Sequence, residues 1–286
     1  MTRFLSSRTA LVLGCLSGLL FAATPAFAQY SDPIPADPAA PLDDITTRSV
    51  LKEHKVLKYA PIREADILWE KRLWRVIDTR EKMNLPFIAP ESSLFTALSD
   101  AIGNGDLTAY ADDGFSMPMK KDDAMHLLSR TDTVIVRNME TEQDEVKVVT
   151  NSINWEDVKR FRIKESWYFD TNTGTLRVRI LGIAPLLNVN DESGNFRYEQ
   201  PLFWIHYPTA RPLLASHKAI MHGGNYASTM SCEDLFEMRY FASHILKENN
   251  LQDLRLQDYL AGEDLLLASE RIEDDLFNRE HDLWSW

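Results

Sequence analysis

The sequence is poor in positive charge and in cysteine. Lysine and arginine together number 31 against 43 acidic residues, which gives a formal net charge of −12. Such an acidic chain is a poor match for nucleic-acid phosphates, which require a basic footprint. Only two cysteines are present, Cys15 and Cys232. The composition therefore excludes a cysteine-rich scaffold and disfavours a nucleic-acid-binding protein.

Long apolar runs are also absent after the N-terminus. There, Arg3 and Arg8 precede the apolar stretch 9–23, and "AFA" at 26–28 supplies a cleavage site. This pattern predicts a secretory signal peptide over residues 1–28, cleaved after Ala28; an uncleaved membrane helix and a lipidated Cys15 fit it less well. Cleavage would take the net charge to −14 and leave Cys232 as the single cysteine, so no internal disulfide could form.

The sequence lacks the common catalytic and ligand-binding motifs. It has no HExxH, no paired CxxC, no GxGxxG, no GxxxxGK[ST] and no GxSxG. The remaining candidates are His206, His217 and His222, which could form the pocket of a periplasmic ligand-binding protein or hydrolase, and Cys232 at a predicted helix start. We predict no enzyme activity, no cofactor and no metal, and keep the histidine pocket as the alternative.

The segment 29–60 is predicted to be a proline-rich extended arm. It contains "QYSDPIPADPAAPLDD", with four prolines and little to bury. Either the arm is disordered, or it orders on a neighbouring subunit.

The remainder, 61–286, is predicted to be an α+β domain in which helices flank a small, mainly antiparallel sheet. "ADILWEKRLWRVIDTREKMNLPF" (65–87) places Trp69, Leu73, Val76 and Ile77 at helical spacing, and Pro86 ends the segment. A second helix is expected over 91–102, followed by a turn and a short strand.

The middle of the chain alternates with a period of two. "VKRFRIKESWYFDTNTGTLRVRILGIAPLL" predicts a hairpin with one apolar and one basic face, "DESGN" a turn, and Pro201–Pro208 a third strand. Ser231 and Asp234 resemble a helix cap before a helix that buries Leu235, Phe241, Ile245 and Leu246. An acidic helical segment then closes the chain.

Tryptophan and arginine dominate many protein interfaces. They therefore define the candidate partner-contact residues: Trp69, Arg72, Trp74, Arg75, Arg177, Arg179, Trp284 and Trp286. For the four in the predicted helix, the alternative is that both tryptophans belong to the core. For Arg177 and Arg179, the alternative to contact with an acidic partner is that neighbouring Asp and Glu solvate their charge. The terminal tryptophans could dock on a partner or pack back onto the protein.

Several long segments closely resemble, in order, those of the GldN/PorN family of the type IX secretion and gliding-motility machinery. They are "DILWEKRLWRVIDTREKMNLPF", "DVKRFRIKESWYFD", "LRVRILGIAPLL", "LFWIHYP", "DLFEMRYFASHILKENN" and "SERIEDDLFNREHDLWSW". The resemblance covers roughly Asp66 to Trp286. It implies a non-enzymatic periplasmic protein that forms a ring with the GldK/PorK lipoprotein at the inner face of the outer membrane. It also implies a link to the periplasmic part of GldM/PorM.

Overall fold

The structure is a computed structural model, and it describes residues 44–46, 48–137, 144–190, 195–221, 223 and 225–284. The chain divides into two units, Met1–Thr47 and Arg48–Trp286, and the elements below all belong to the second. The predicted signal peptide, most of the predicted arm, most of the "DESGN" turn, His222 and Trp286 lie outside the described residues.

Strands and helices alternate irregularly along the described chain. The strands are β1 (Ile67–Asp78), β2 (Ala109–Tyr110), β3 (Ser129–Arg137), β4 (Asp144–Ser152), β5 (Arg160–Asp170), β6 (Thr175–Asn190), β7 (Phe196–Pro201), β8 (Trp204–His206) and β9 (His244–Glu248). The α-helices are α1 (Leu94–Asn104), α2 (Lys121–Leu128), α3 (Tyr207–Ser216), α4 (Cys232–Glu237) and α5 (Glu263–Trp284).

One antiparallel sheet organises the protein. Its strand order is β2-β8-β6-β5-β1-β9, and β7 pairs with the far end of β6, which makes seven strands. β3 and β4 pair only with each other. The predicted α+β class with an antiparallel sheet is confirmed, and so are the hairpin, now β5 and β6, and the short strand β2.

The segment predicted as an amphipathic helix is instead β1, so that prediction was wrong. β1 lies between β5 and β9, and every residue from Leu73 to Asp78 is buried. A strand that is covered on both faces carries apolar side chains at odd and even positions, and this can imitate helical spacing. The β-branched Val76 and Ile77 favour the extended conformation.

The helix predicted to continue from Leu235 through Leu246 was also wrong in its second half. α4 ends at Glu237, and Arg239 has a φ of 54°, which breaks helical geometry. Ile245 and Leu246 then lie in β9. The predicted start is confirmed, because Ser231 and Asp234 form a reciprocal capping box. The strand predicted over Pro201–Pro208 is confirmed only at its centre, as β8, since α3 begins at Tyr207.

The two faces of the sheet differ in their covering. On the helical face, which includes Leu73, Arg75 and Ile77, helices α1, α3 and α4 bury the largest apolar cluster. α5 covers Leu73 and Ile245 on the same face with Ile272 and Leu276. The opposite face, called here the basic face, carries Trp74, Val76, Arg162 and Lys164 side by side, because residues directly opposite each other on antiparallel strands share a face.

Helix α5 lies against this domain through a narrow stripe. Leu265, Ala268, Ile272 and Leu276 recur every three or four residues, and the Ile245 N–H donates to Ser269 Oγ at 2.8 Å. Within the described ranges, no helix has the length and apolar character needed to cross a membrane.

Candidate interaction surfaces

The four candidate residues of β1 do not share one surface. Trp69 and Arg75 point to the helical face, and Arg72 and Trp74 point to the basic face. Arg72 is exposed and lies 3.4 Å from Glu70. Trp69 is half-buried, and its ring lies 4.8 Å from the guanidinium of Arg279 on α5. Of these four residues, Arg72 is the one that is freely accessible.

Arg75 belongs to a buried ion-pair network between the sheet and α5. Its Nε lies 3.2 Å from Glu165 Oε2, and its Nη1 contacts Glu273. Glu165 is fully buried and also accepts hydrogen bonds from Arg239 Nη1 at 2.8 Å and Trp167 Nε1 at 2.9 Å. A desolvated cation held by two carboxylates acts as a structural connection. Arg75 is therefore almost fully buried, and its charge is paired within the protein.

Trp74 is the centre of a polar cluster on the basic face. Its Nε1 donates to Asp113 Oδ2 at 2.8 Å, and the ammonium groups of Lys247 and Lys164 lie 4.4 Å and 5.4 Å from its ring centroid. Burial lowers the pKa of Lys164. Both cations contact the indole, so Trp74 packs inside the protein. This agrees with the alternative in which the tryptophan belongs to the core.

The basic side of the hairpin is only partly exposed. Arg162 and Lys164 on β5 are buried. On β6, Arg177 is exposed, whereas Arg179 lies 4.9 Å from the Tyr59 ring and donates to the Ala60 carbonyl at 2.6 Å. Of these four cations, Arg177 is therefore the one that solvent reaches most readily.

Tyr59 fixes the segment before β1 onto the domain. Its ring lies 4.0 Å from the Arg211 guanidinium, and its hydroxyl donates to Glu237 at 2.5 Å. Burial and the neighbouring Glu237 raise the pKa of Tyr59. Arg211 also donates to the Leu57 carbonyl at 2.9 Å. This part of the predicted 29–60 arm thus contacts the folded domain.

The outward side of α5 exposes three large apolar side chains. Leu266 is 55% exposed, Leu267 is 40% exposed and Phe277 is 72% exposed. Acidic residues surround them, and Trp284 is the last residue of the helix. Phe277 also borders a cleft of about 500 Å³ that reaches Arg75 and Trp167. Sequence reasoning identified the acidic helix but not which apolar residues remain outside.

Of the three candidate histidines, the two that the structure describes, His206 and His217, lie apart from each other, and His222 is outside the described residues. His206 ends β8 and His217 follows α3, so ten helical residues, roughly 15 Å, lie between them. His206 packs edge-on against Phe115, and His217 Nε2 lies 3.0 Å from Ser92 Oγ. Burial lowers the pKa of both rings. Among the described residues, no group of His, Cys, Asp and Glu side chains is arranged to hold a metal.

Cys232 is buried at the start of α4, and burial raises the pKa of its thiol to about 12. A thiol with such a pKa is a poor nucleophile, so the position at a helix start does not activate it.

The described surface of this α+β fold presents aromatic and arginine side chains, among them Phe277 and Arg72, which are the residue types enriched at protein–protein contacts. The chain belongs to the GldN family of gliding motility associated proteins: the sequence model of that family matches residues 62–285. A comparison with curated proteins gives no significant match.

Proposed function

We propose that this protein is a non-enzymatic structural component of the type IX secretion and gliding-motility machinery. It is exported by the signal peptide 1–28 and acts in the periplasm, at the inner face of the outer membrane. There it forms a ring with a GldK/PorK-like lipoprotein and connects to the periplasmic domain of a GldM/PorM-like protein. The observation that carries the proposal is the family match over 62–285, which spans the whole sheet and all five helices.

The exposed side of α5 supports a role in assembly. A helix that anchors through one narrow stripe usually turns polar side chains to water, but α5 leaves two leucines and a phenylalanine outside. Leu266 and Phe277 lie on the same side of the helix about 16 Å apart, with Glu270 and Glu273 between them, so they provide two apolar anchor points within an acidic surface. We assign this side of α5 to contact with a ring component, with Trp284 at its end.

The remaining candidate residues take different roles in the proposal. Arg72 and Arg177 are exposed and can contact an acidic partner directly. Trp69, Trp74, Arg75 and Arg179 are engaged with the protein itself, so they position the strands and the segment before β1. Trp286 is proposed as a partner contact on sequence grounds alone.

The experiment is a pull-down of tagged protein from detergent-solubilised envelopes, with mass spectrometry of the partners. We expect a GldK-like lipoprotein to co-purify with the unmodified protein. The double substitution Leu266→Ser and Phe277→Ser should reduce that recovery at least ten-fold while the far-UV circular dichroism stays unchanged, because both side chains are exposed.

The matched control is Met117→Ser, since Met117 is 59% exposed and lies outside α5. It should leave co-purification unchanged. Recovery of the protein alone, without a lipoprotein or a GldM-like partner, would refute the proposed function. Full recovery with the α5 double variant would refute the assignment of that helix.

A further inference from the structure

A cleft on the basic face is lined by four arginines. It has a volume of about 590 Å³, and we call it the arginine cleft after Arg160, Arg162, Arg197 and Arg255. Val76 and Leu246 form an apolar part of its wall. A neighbouring depression of about 350 Å³ shares Arg162, Leu246 and Arg255 and extends to Trp74. Arg162 therefore lies where two open clefts meet.

Arg162 is a buried cation that forms no salt bridge within the described part of the chain, although Glu199 and Asp113 interact with its charge from further away. It is 6% exposed, and its Nε has no hydrogen-bond partner among the described residues. Its cross-strand neighbours on β1 and β6 are Val76 and Ala184, neither of which can compensate a charge. Burial and the nearby Arg255 lower the pKa of Arg162 to about 10.

The other buried arginines form salt bridges with carboxylates, although the Nε of Arg75, like that of Arg162, makes no hydrogen bond. Arg75 pairs with Glu165 at 3.2 Å, and Arg211 pairs with Glu233 at 2.6 Å. Arg160, the next residue on the same face of β5, lies 3.0 Å from Asp78 and also contacts Glu199. For Arg162, no described carboxylate comes within salt-bridge distance, and Glu199 and Asp113 act on it only from further away. A buried guanidinium that lacks a close counter-ion destabilises a fold, so its presence points to a ligand that supplies one.

The surroundings favour one carboxylate over a dense polyanion. Glu199 and Asp258 line the arginine cleft itself, and Asp112, Asp113 and Asp253 line the adjoining depression. These acids, together with the chain's net charge of −12, would repel a phosphate-rich ligand. A guanidinium matches a single carboxylate through paired N–H donors.

Exposed aromatic rings at the rim favour a polypeptide as the bearer of that carboxylate. Phe196 and Tyr198 on β7 are 60% and 47% exposed and line the cleft. Aromatic side chains beside a charged pocket commonly pack against the backbone and aliphatic parts of a bound segment. We propose that the arginine cleft binds an acidic segment of another polypeptide, whose Glu or Asp carboxylate pairs with Arg162 and is also attracted by the positive charge of Arg255. The inference deepens the proposed function by giving the chemistry of one partner contact.

The test is isothermal titration of the purified protein with an acetylated, amidated peptide that carries one glutamate among five glycines, called the glutamate peptide. The same peptide with glutamine in that position, called the glutamine peptide, and pyrophosphate are the comparison probes. We expect the glutamate peptide to bind, the glutamine peptide to bind at least ten-fold more weakly, and the affinity for the glutamate peptide to fall as salt rises. Arg162→Met, which keeps the length of the side chain and removes the charge, should lower that affinity at least ten-fold.

Two further variants guard against misfolding and non-specific charge effects. Arg255→Gln alters an exposed side chain and should weaken binding several-fold even if Arg162→Met does not fold. Lys121→Gln removes an exposed cation on α2 and should change nothing. Equal binding of the glutamine peptide, unchanged affinity in the Arg162 and Arg255 variants, or preference for pyrophosphate would overturn the inference. The ring assembly of the proposed function would stand in each of these cases, because the peptide assay does not depend on it.

Discussion

Replacing Glu165 by glutamine should cost more stability than any single surface change in this protein. Glu165 is fully buried on β5 and holds Arg75 and Arg239, while its neighbour Trp167 donates to it at 2.9 Å. Glutamine keeps the shape and an acceptor but removes the charge. Arg75 would then depend on Glu273, which is 44% exposed and weakly held. Arg75 would then be a buried cation that keeps only one of its two carboxylate partners.

The expected magnitude follows from measurements on similar pairs. Removing one partner of a buried ion pair costs about 3–5 kcal/mol, and the remaining contact with Glu273 places this case near the lower value. With an m-value of about 3 kcal/mol per M urea for a domain of this size, a loss of about 3 kcal/mol lowers the midpoint by about 1 M. The assay is urea unfolding followed by tryptophan fluorescence.

Glu273→Gln is the matched control. It removes a half-exposed carboxylate that pairs with the same arginine, and such pairs contribute less than about 1 kcal/mol. The reasoning fails if Glu165→Gln unfolds at the wild-type urea concentration. It also fails if the two variants are equally destabilised, because the Arg75–Glu273 contact with α5 would then stabilise the protein as much as the buried Arg75–Glu165 pair.

Two further changes probe the fold. Gly182→Ala would place a methyl group 2.6 Å from Phe115 Cζ and 3.3 Å from the Ile205 carbonyl oxygen. It should therefore lower the free energy of unfolding by about 1–3 kcal/mol, seen as a lower melting temperature. Adding Phe115→Ala should recover part of the loss, and purely additive effects of the two substitutions would contradict a steric cause. Burial places the folded-state pKa of His217 below its usual 6.5, so the unfolded chain takes up the proton first as the pH falls. The free energy of unfolding should therefore decrease below about pH 6.5. In urea titrations between pH 7 and 5, His217→Gln should reduce this dependence on pH, and an unchanged dependence would exclude His217 as its source.

The sequence predicts the hairpin well because β5 and β6 alternate regularly around a turn. The sequence of β1 predicts a helix because the second half of the strand is buried on both faces, so that apolar residues stand at odd and at even positions. The break at Arg239 was missed because nothing in the local sequence, such as glycine or proline, marks the φ of 54°. These errors share one cause: local periodicity carries no information about which neighbours a strand will acquire.

The candidate surfaces were predicted less well than the fold. Arg75 and Trp74 were selected for their residue types, yet the structure uses them for an internal ion pair and an internal hydrogen bond. Arg162 was visible in the alternation "RFRIK", but whether a buried cation has a partner depends on strands far away in the sequence. The exposed side of α5 likewise became identifiable only when Ile272 and Leu276 were seen to face β1 and β9.

The most direct test of the central claim is electron microscopy of the particles that co-purify with the tagged protein from gently solubilised envelopes. We expect ring-shaped particles that contain both this protein and a GldK-like lipoprotein. Single, unassociated molecules in the same preparations, from cells with an intact secretion and gliding machinery, would contradict the account.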